Sequence, residues 1–263
     1  MSLLKLNLYF LLGELEWNAF RELNDVADYV YKSPRLLEHE KDLERWKLAT
    51  YFPEGGPTAD LREHLESVKL NQTFPRLIAT ANLFLSLSVF ENHVFSLLRV
   101  LQEQNPTVPR EGLGQGVAAH LKAMKAYGAE PYHQPQYEQV LVALSIRNCL
   151  MHAKGSLAVF RQAEALRTQV NHRRFLGPDL RKRRFELGRS PAEDEVMIEG
   201  TGLDERLVIT NSYAHIACSD LRDYFCALCG TLNPNTALRP MPSYMHPRAL
   251  STGRRPQGRD TRK

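Results

Sequence analysis

From Pro75 to Gln104 the chain runs without a glycine or a second proline, and Leu77, Phe84, Leu87, Phe95, Leu98 and Leu101 recur at helical spacing. That pattern predicts one long helix with enough apolar surface to sit at the centre of a fold. Elsewhere glycine and proline mark the breaks: Pro53 to Pro57, Asn105 to Gly116, Gly128 to Pro135, Gly155, Gly177-Pro178 and the stretch after Gly230. Between them the apolar spacing predicts helices over 3–31, 35–50, 58–71, 113–127, 136–152 and 157–171. Two short β-branched runs, 195–199 and 206–210, read as a hairpin closed by Gly200 to Glu205. Asn211 then suits the N-cap of a last helix. There is no internal repeat. The expected fold is mainly all-α with a small β-hairpin insertion, arranged as an N-terminal helical region (1–72), a helical bundle carrying the hairpin (73–231) and a tail (232–263).

Composition excludes several classes. With 263 residues, 43% hydrophobic and 24% charged, the chain can bury a core and is neither wholly disordered nor collagen-like. The net charge of +4 is a property of the tail, where seven basic residues face Asp260 alone; the remainder is slightly acidic. Five of the fifteen prolines also fall there, a composition that predicts disorder. No membrane span is expected, because the most apolar run, Leu77 to Phe90, holds fourteen residues and about 20 are needed. The N-terminal run contains Lys5 and Asn7 and lacks a small-residue cleavage site; Glu14 and Glu16 continue an amphipathic pattern, so it reads as a mature helix. Four cysteines are too few for a disulfide framework and read as buried thiols of a cytoplasmic protein.

The helix at 136–152 carries Val140, Leu141, Val142, Leu144, Ile146, Leu150 and Met151 around most of its circumference, the mark of a buried helix. Near its end it also holds Arg147, Asn148 and His152. A buried guanidinium is costly without a partner, so these residues need a reason. Asn148 and His152 are four apart and share a face, and the long Arg147 side chain can converge with them. Glu91, in the middle of the long apolar helix, is a candidate partner for Arg147, or else a solvated position on that helix's polar stripe.

The stretch Ile146-Arg147-Asn148-Cys149-Leu150-Met151-His152-Ala153-Lys154-Gly155 resembles the signature of HEPN domains, an Arg followed by a polar residue and then a His at the end of a core helix. The resemblance covers about residues 75–160. It implies an all-α bundle with extra N-terminal helices here, working as a homodimer, and a metal-independent endoribonuclease with Arg147 and His152 as the catalytic pair and Asn148 in support. RNA is then the substrate, no metal or other cofactor is needed, and an antitoxin or regulatory protein is a further partner, in a toxin or defence setting. HEPN toxins silenced through a tyrosine two positions after the His differ from this chain, which has Lys154 there.

The chemistry fits the residue types. A ribose 2′-OH attacking its neighbouring phosphate needs a base, charge stabilisation and an acid for the leaving oxygen; histidine supplies the proton roles and arginine the phosphate contacts. A run of six basic residues, Arg173, Arg174, Arg181, Lys182, Arg183 and Arg184, reads either as an RNA-backbone contact or as a solvated face. Arg167 and His172 repeat the Arg-to-His spacing in a polar segment and receive no role. Gly112 to Gly116 lacks the Gly-Lys-Ser/Thr of a phosphate loop. No metal-ligand spacing is present. The alternative to catalysis is a HEPN-like module that binds RNA, nucleotide or protein without cutting.

Overall fold

In chain order the elements are α1 (Leu3–Lys32), α2 (Pro34–Tyr51), α3 (Pro57–Val68), a π-helical turn (Lys69–Thr73), α4 (Phe74–Gln104), α5 (Val117–Met124), α6 (Tyr137–Ala153), α7 (Ala163–Asn171), α8 (Pro178–Glu186), β1 (Val196–Glu199), β2 (Arg206–Ile209) and α9 (Asn211–Leu232). This computed structural model describes residues 3–108, 116–186 and 195–233, those at 3–7 and 184–186 as backbone only. The fold is an all-α bundle with a small antiparallel hairpin, as the sequence predicts. Three long helices, α1, α4 and α9, pack on one another and form its centre. Leu12, Leu23 and Val30, then Leu83, Phe90 and Leu97, then Leu221, Phe225 and Leu228 enter one buried cluster. On each helix these residues recur at the three-, four-, seven- and eleven-residue steps that keep one face inward. Helix α6 lies against α4 and α9 and adds Val140, Ile146 and Cys149 to the cluster.

Several boundaries differ from the sequence expectation, each for a physical reason. The predicted break between 71 and 75 is absent: the chain runs as one helix from Pro57 to Gln104. Pro75 lacks an N–H, and its ring would strike the carbonyl four residues back in a regular helix. The π turn absorbs this, with the Phe74 N–H returning to the Lys69 carbonyl. By length and composition this helix could cross a membrane. Here its apolar side packs on α1 and α9, and its buried residues Asn82, Ser86 and His93 have protein partners. Asn82 Nδ2 donates to Ser33 Oγ (2.8 Å) and Asn211 Oδ1 (2.6 Å), and His93 Nε2 meets Glu22 Oε2 at 2.8 Å.

The N-cap of α9 is Thr210, not Asn211: its hydroxyl accepts from the Tyr213 N–H, while the Asn211 amide donates to Val30 O. Helix α7 starts at Ala163 and not near 157, because residues 155–157 pair with the hairpin instead. Helix α6 is not enclosed on all sides; Met151 and His152 are exposed. Glu16 leaves the polar stripe assigned to it and is 1% exposed. It stands four residues after Leu12 and three before Ala19, on the inward line of α1. The predicted disordered tail falls, beyond Asn233, outside the described residues, as do residues 109–115 of the Gly-rich segment.

The hairpin fixes the end of α6. Strands β1 and β2 pair antiparallel with Val196 opposite Ile209 and Glu199 opposite Arg206. On the other side of β2, Leu207 donates to Gly155 O (2.8 Å) and Leu157 donates to Glu205 O (3.0 Å). Gly155 has φ +80°, and a Cβ there would lie 2.9 Å from Leu207 O, so only glycine allows the chain to leave α6 and join β2 at once. All four cysteines are buried and unpaired. Burial pushes the Cys149 and Cys218 thiols up to about 11.

Candidate functional site

The site lies where the last two turns of α6 run beside the middle of α4. Arg147 Nη2 donates to Glu91 Oε1 at 2.6 Å, with the two side chains 20% and 33% exposed. The pair bridges α4 and α6 and neutralises both charges in a half-buried seam. Arg147 Nε is buried and has no hydrogen-bond partner among the described residues. Asn148, the next residue, is half-buried.

Five residues after the arginine, His152 is exposed and makes no hydrogen bond or ion pair among the described residues. It stands about 7.5 Å along the helix from Arg147 and about 140° around it. Asn148 and His152, about 40° apart, do share a face. Beyond them Lys154 caps α6 in the left-handed conformation (φ 51°), with its N–H returned to Cys149 O. Thus Glu91 and Arg147 come together as bonded partners, while His152 is exposed more than a third of a turn away around α6.

The chain matches no known protein family, curated protein or solved structure.

The basic run does not form one continuous stripe. Arg173 is buried with φ 50°. Arg174 Nη1 and Arg181 Nη2 both reach the Glu138 carboxylate on α6, at 3.2 and 3.3 Å. Lys182 and Arg183 are exposed on α8, and the Arg184 side chain lies outside the described residues. A single acid on the core helix thus draws two of the six cations inward. The second Arg-to-His spacing is structural: Arg167 donates to Glu205 at 2.6 and 3.0 Å and to Glu164 at 2.7 Å, tying α7 to the hairpin turn. Among the described residues no three His, Cys, Asp or Glu side chains gather as a metal site.

Chemically, the α6 end offers a guanidinium held in place by a carboxylate, an amide beside it, and an exposed imidazole. The guanidinium can meet phosphate oxygens with donors that Glu91 does not occupy. The imidazole is open to solvent and within reach of a bound molecule. Exposed apolar residues stand one helical turn from each partner: Met151 (46% exposed) four residues after Arg147, and Phe95 (50% exposed) four after Glu91. What spacing did not disclose is a set of cations around the same helix end, Arg76, Lys154 and Arg206, which line a groove between the π turn and β2. Their residues are far apart in sequence, and only Lys154-Gly155, as a helix stop, carried any local signal.

Proposed function

We propose that the chain is a metal-independent endoribonuclease of HEPN type. The observation that carries this reading is the Arg147–Glu91 bridge beside the exposed His152, at the end of a helix that resembles the HEPN signature helix. Glu91 holds the guanidinium at a fixed position on α4. Arg147 then stabilises the charge that builds on the phosphorus as a ribose 2′-OH attacks. His152 moves protons, as base to the 2′-OH or as acid to the leaving 5′ oxygen. One histidine cannot perform both in a single turnover step. A two-fold homodimer through the exposed face around Met151 and Phe95 would bring a second His152 to the same cleft. The reaction as written needs no metal. A toxin or defence role, and an antitoxin or regulatory partner, follow from the resemblance alone.

The test is cleavage of mixed cellular RNA by the purified full chain in EDTA, beside His152→Ala, with product ends assayed for 2′,3′-cyclic phosphate. Cleavage by the native protein only, leaving cyclic phosphate, supports the reading. Equal cleavage by the variant refutes the site.

A second reading has its own observation. Because Glu91 neutralises Arg147, the pair also suits a purely structural bridge in a HEPN-like module that binds RNA, nucleotide or protein without cutting. That reading predicts no cleavage by the folded native protein and no change in ligand binding on replacing His152.

A further inference from the structure

A groove of about 350 Å³ opens where the π turn, the start of α4, the end of α6 and strand β2 meet. Three cations line it: Arg76, Lys154 and Arg206. Arg76 is the one with a carboxylate, donating to both oxygens of Glu199 at 3.0 Å. Lys154 and Arg206 have no ion pair among the described residues, so three positive charges face a single negative one. Thr73 and Thr80 line the same space, and Leu77 (60% exposed) and Leu150 give it an apolar wall.

Two backbone features shape this place. The π turn widens the helix just where Thr73 enters the groove, and such turns recur at functional sites. Lys154 holds the left-handed conformation that glycine or asparagine adopts with less strain, so a lysine is kept there at a conformational cost.

We propose that this groove binds the phosphate of a nucleotide, with the nucleoside against the Leu77–Leu150 wall. Cations and hydroxyl donors suit a phosphate's several oxygens, and the apolar wall suits a base. A groove of this size accommodates one nucleotide unit. Lys154 follows Arg147 by seven residues, about 10 Å along α6. A strand crossing the Arg147–His152 site can therefore continue into the groove. In that form the inference rests on the RNA reading above; a free nucleotide is the other source of the same chemistry.

The test uses the native full chain with a fluorescein-labelled single-stranded 2′-O-methyl oligoribonucleotide, which cannot be cut because it lacks the nucleophile. Anisotropy is read against salt, with ADP as a separate ligand, for native protein, Lys154→Gly and Lys154→Gly/Arg206→Gln. The glycine variant removes the charge and relieves the left-handed strain, so it remains testable even if the double variant does not fold. The expected result is a weakening of strand binding by about tenfold in the double variant, with a salt slope shallower by about 0.7 for each phosphate no longer neutralised. ADP binding that disappears in the variants, with no strand binding by native protein, also upholds the groove but rejects the strand. Strand binding unchanged in both variants overturns the groove and leaves the RNA reading standing. Failure of native protein to bind either ligand overturns the groove, and the cleavage assay then judges the RNA reading separately.

Discussion

Two helix seams in this molecule each contain a glutamate, and they treat it differently. In the α1–α9 seam, Glu16 is 1% exposed and neither of its oxygens has a partner among the described residues. Burial pushes its carboxyl up to about 7. In the α4–α6 seam, Glu91 is a third exposed and bonded to Arg147. The first seam leaves its glutamate unpartnered, and burial raises its carboxyl; the second supplies a counter-charge. A carboxylate bonded to a guanidinium can fix that guanidinium for chemistry. A protonated acid among apolar side chains fixes nothing and makes stability depend on pH. The contrast lies between the two glutamates and not between the seams as wholes, because α9 pairs Asp223 with Arg222 at 2.8 Å and Arg222 Nη1 reaches Asn24 of α1 at 3.1 Å.

The largest effect that tests this contrast is on activity. Under the proposed function, His152→Ala lowers RNA cleavage by about 10²- to 10⁴-fold. The exposed imidazole has no partner to lose, so the melting temperature stays where it was. A large drop in melting temperature would place His152 in the fold and not in the chemistry.

Arg147→Ala should lower cleavage by about 10²- to 10³-fold, the scale for losing one stabilising donor. It also strands Glu91, at a stability cost of about 1.5–3 kcal/mol, toward the lower end because both side chains keep some solvent. Glu91→Gln keeps an acceptor and removes the charge. A double-mutant cycle of Arg147→Ala and Glu91→Ala measures the coupling directly. Coupling in stability with native cleavage in Arg147→Ala would turn the α4–α6 seam into a structural bridge like any other.

The α1–α9 seam is probed by pH. Because the folded-state value of Glu16 is raised above that of a free carboxyl, the folded protein binds its proton more tightly than the unfolded chain does. Stability is full below about pH 4.5 and declines as pH rises through about 7. Glu16→Gln removes that dependence. Its gain over native protein should be small at pH 5 and grow to the order of 3 kcal/mol at pH 8, read from denaturant melts. Cys226 and Cys229 of α9 face the same acid, and their thiols are pushed up and stay neutral across this range. A gain that does not change with pH would mean the acid is already ionised in the folded protein.

The two seams were unequally legible. Helix α4 was visible because its periodicity is local, and Glu91 stood out as an acid within an apolar run. Glu16 lies at inward spacing with Leu12, Ala19 and Leu23, yet beside Glu14 it looks like part of a polar stripe. Only the packing of α9 decides which stripe faces inward. The hairpin was legible from its β-branched runs, whereas the non-helical course of 155–162 depends on Gly155 meeting Leu207, a residue far along the chain. Arg147 and His152 could be named from one segment. The groove cations could not, since Arg76, Lys154 and Arg206 meet only through the tertiary fold.

The smallest expected effect concerns the start of α9, at the other end of the seam that leaves Glu16 alone. There Thr210 Oγ1 accepts from the Tyr213 N–H, Asn211 Nδ2 donates to Val30 O, and Asn211 Oδ1 accepts from Asn82, while the Tyr213 hydroxyl is buried without a hydrogen-bond partner among the described residues. Thr210→Ala removes the cap and should cost about 1 kcal/mol. In a chain of this length that lowers the melting temperature by about 2–4 °C. Thr210→Ser, which keeps the hydroxyl, should stay near native. Were Asn211 the cap, as its residue type alone suggests, Thr210→Ala would be silent and Asn211→Ala would act by itself. With Thr210 as the cap, Asn211→Ala instead acts through Asn82, and the two substitutions couple in a double-mutant cycle. Coupling between Asn82 and Asn211, with none between Thr210 and Asn82, separates the cap from the bolt that joins α1, α4 and α9.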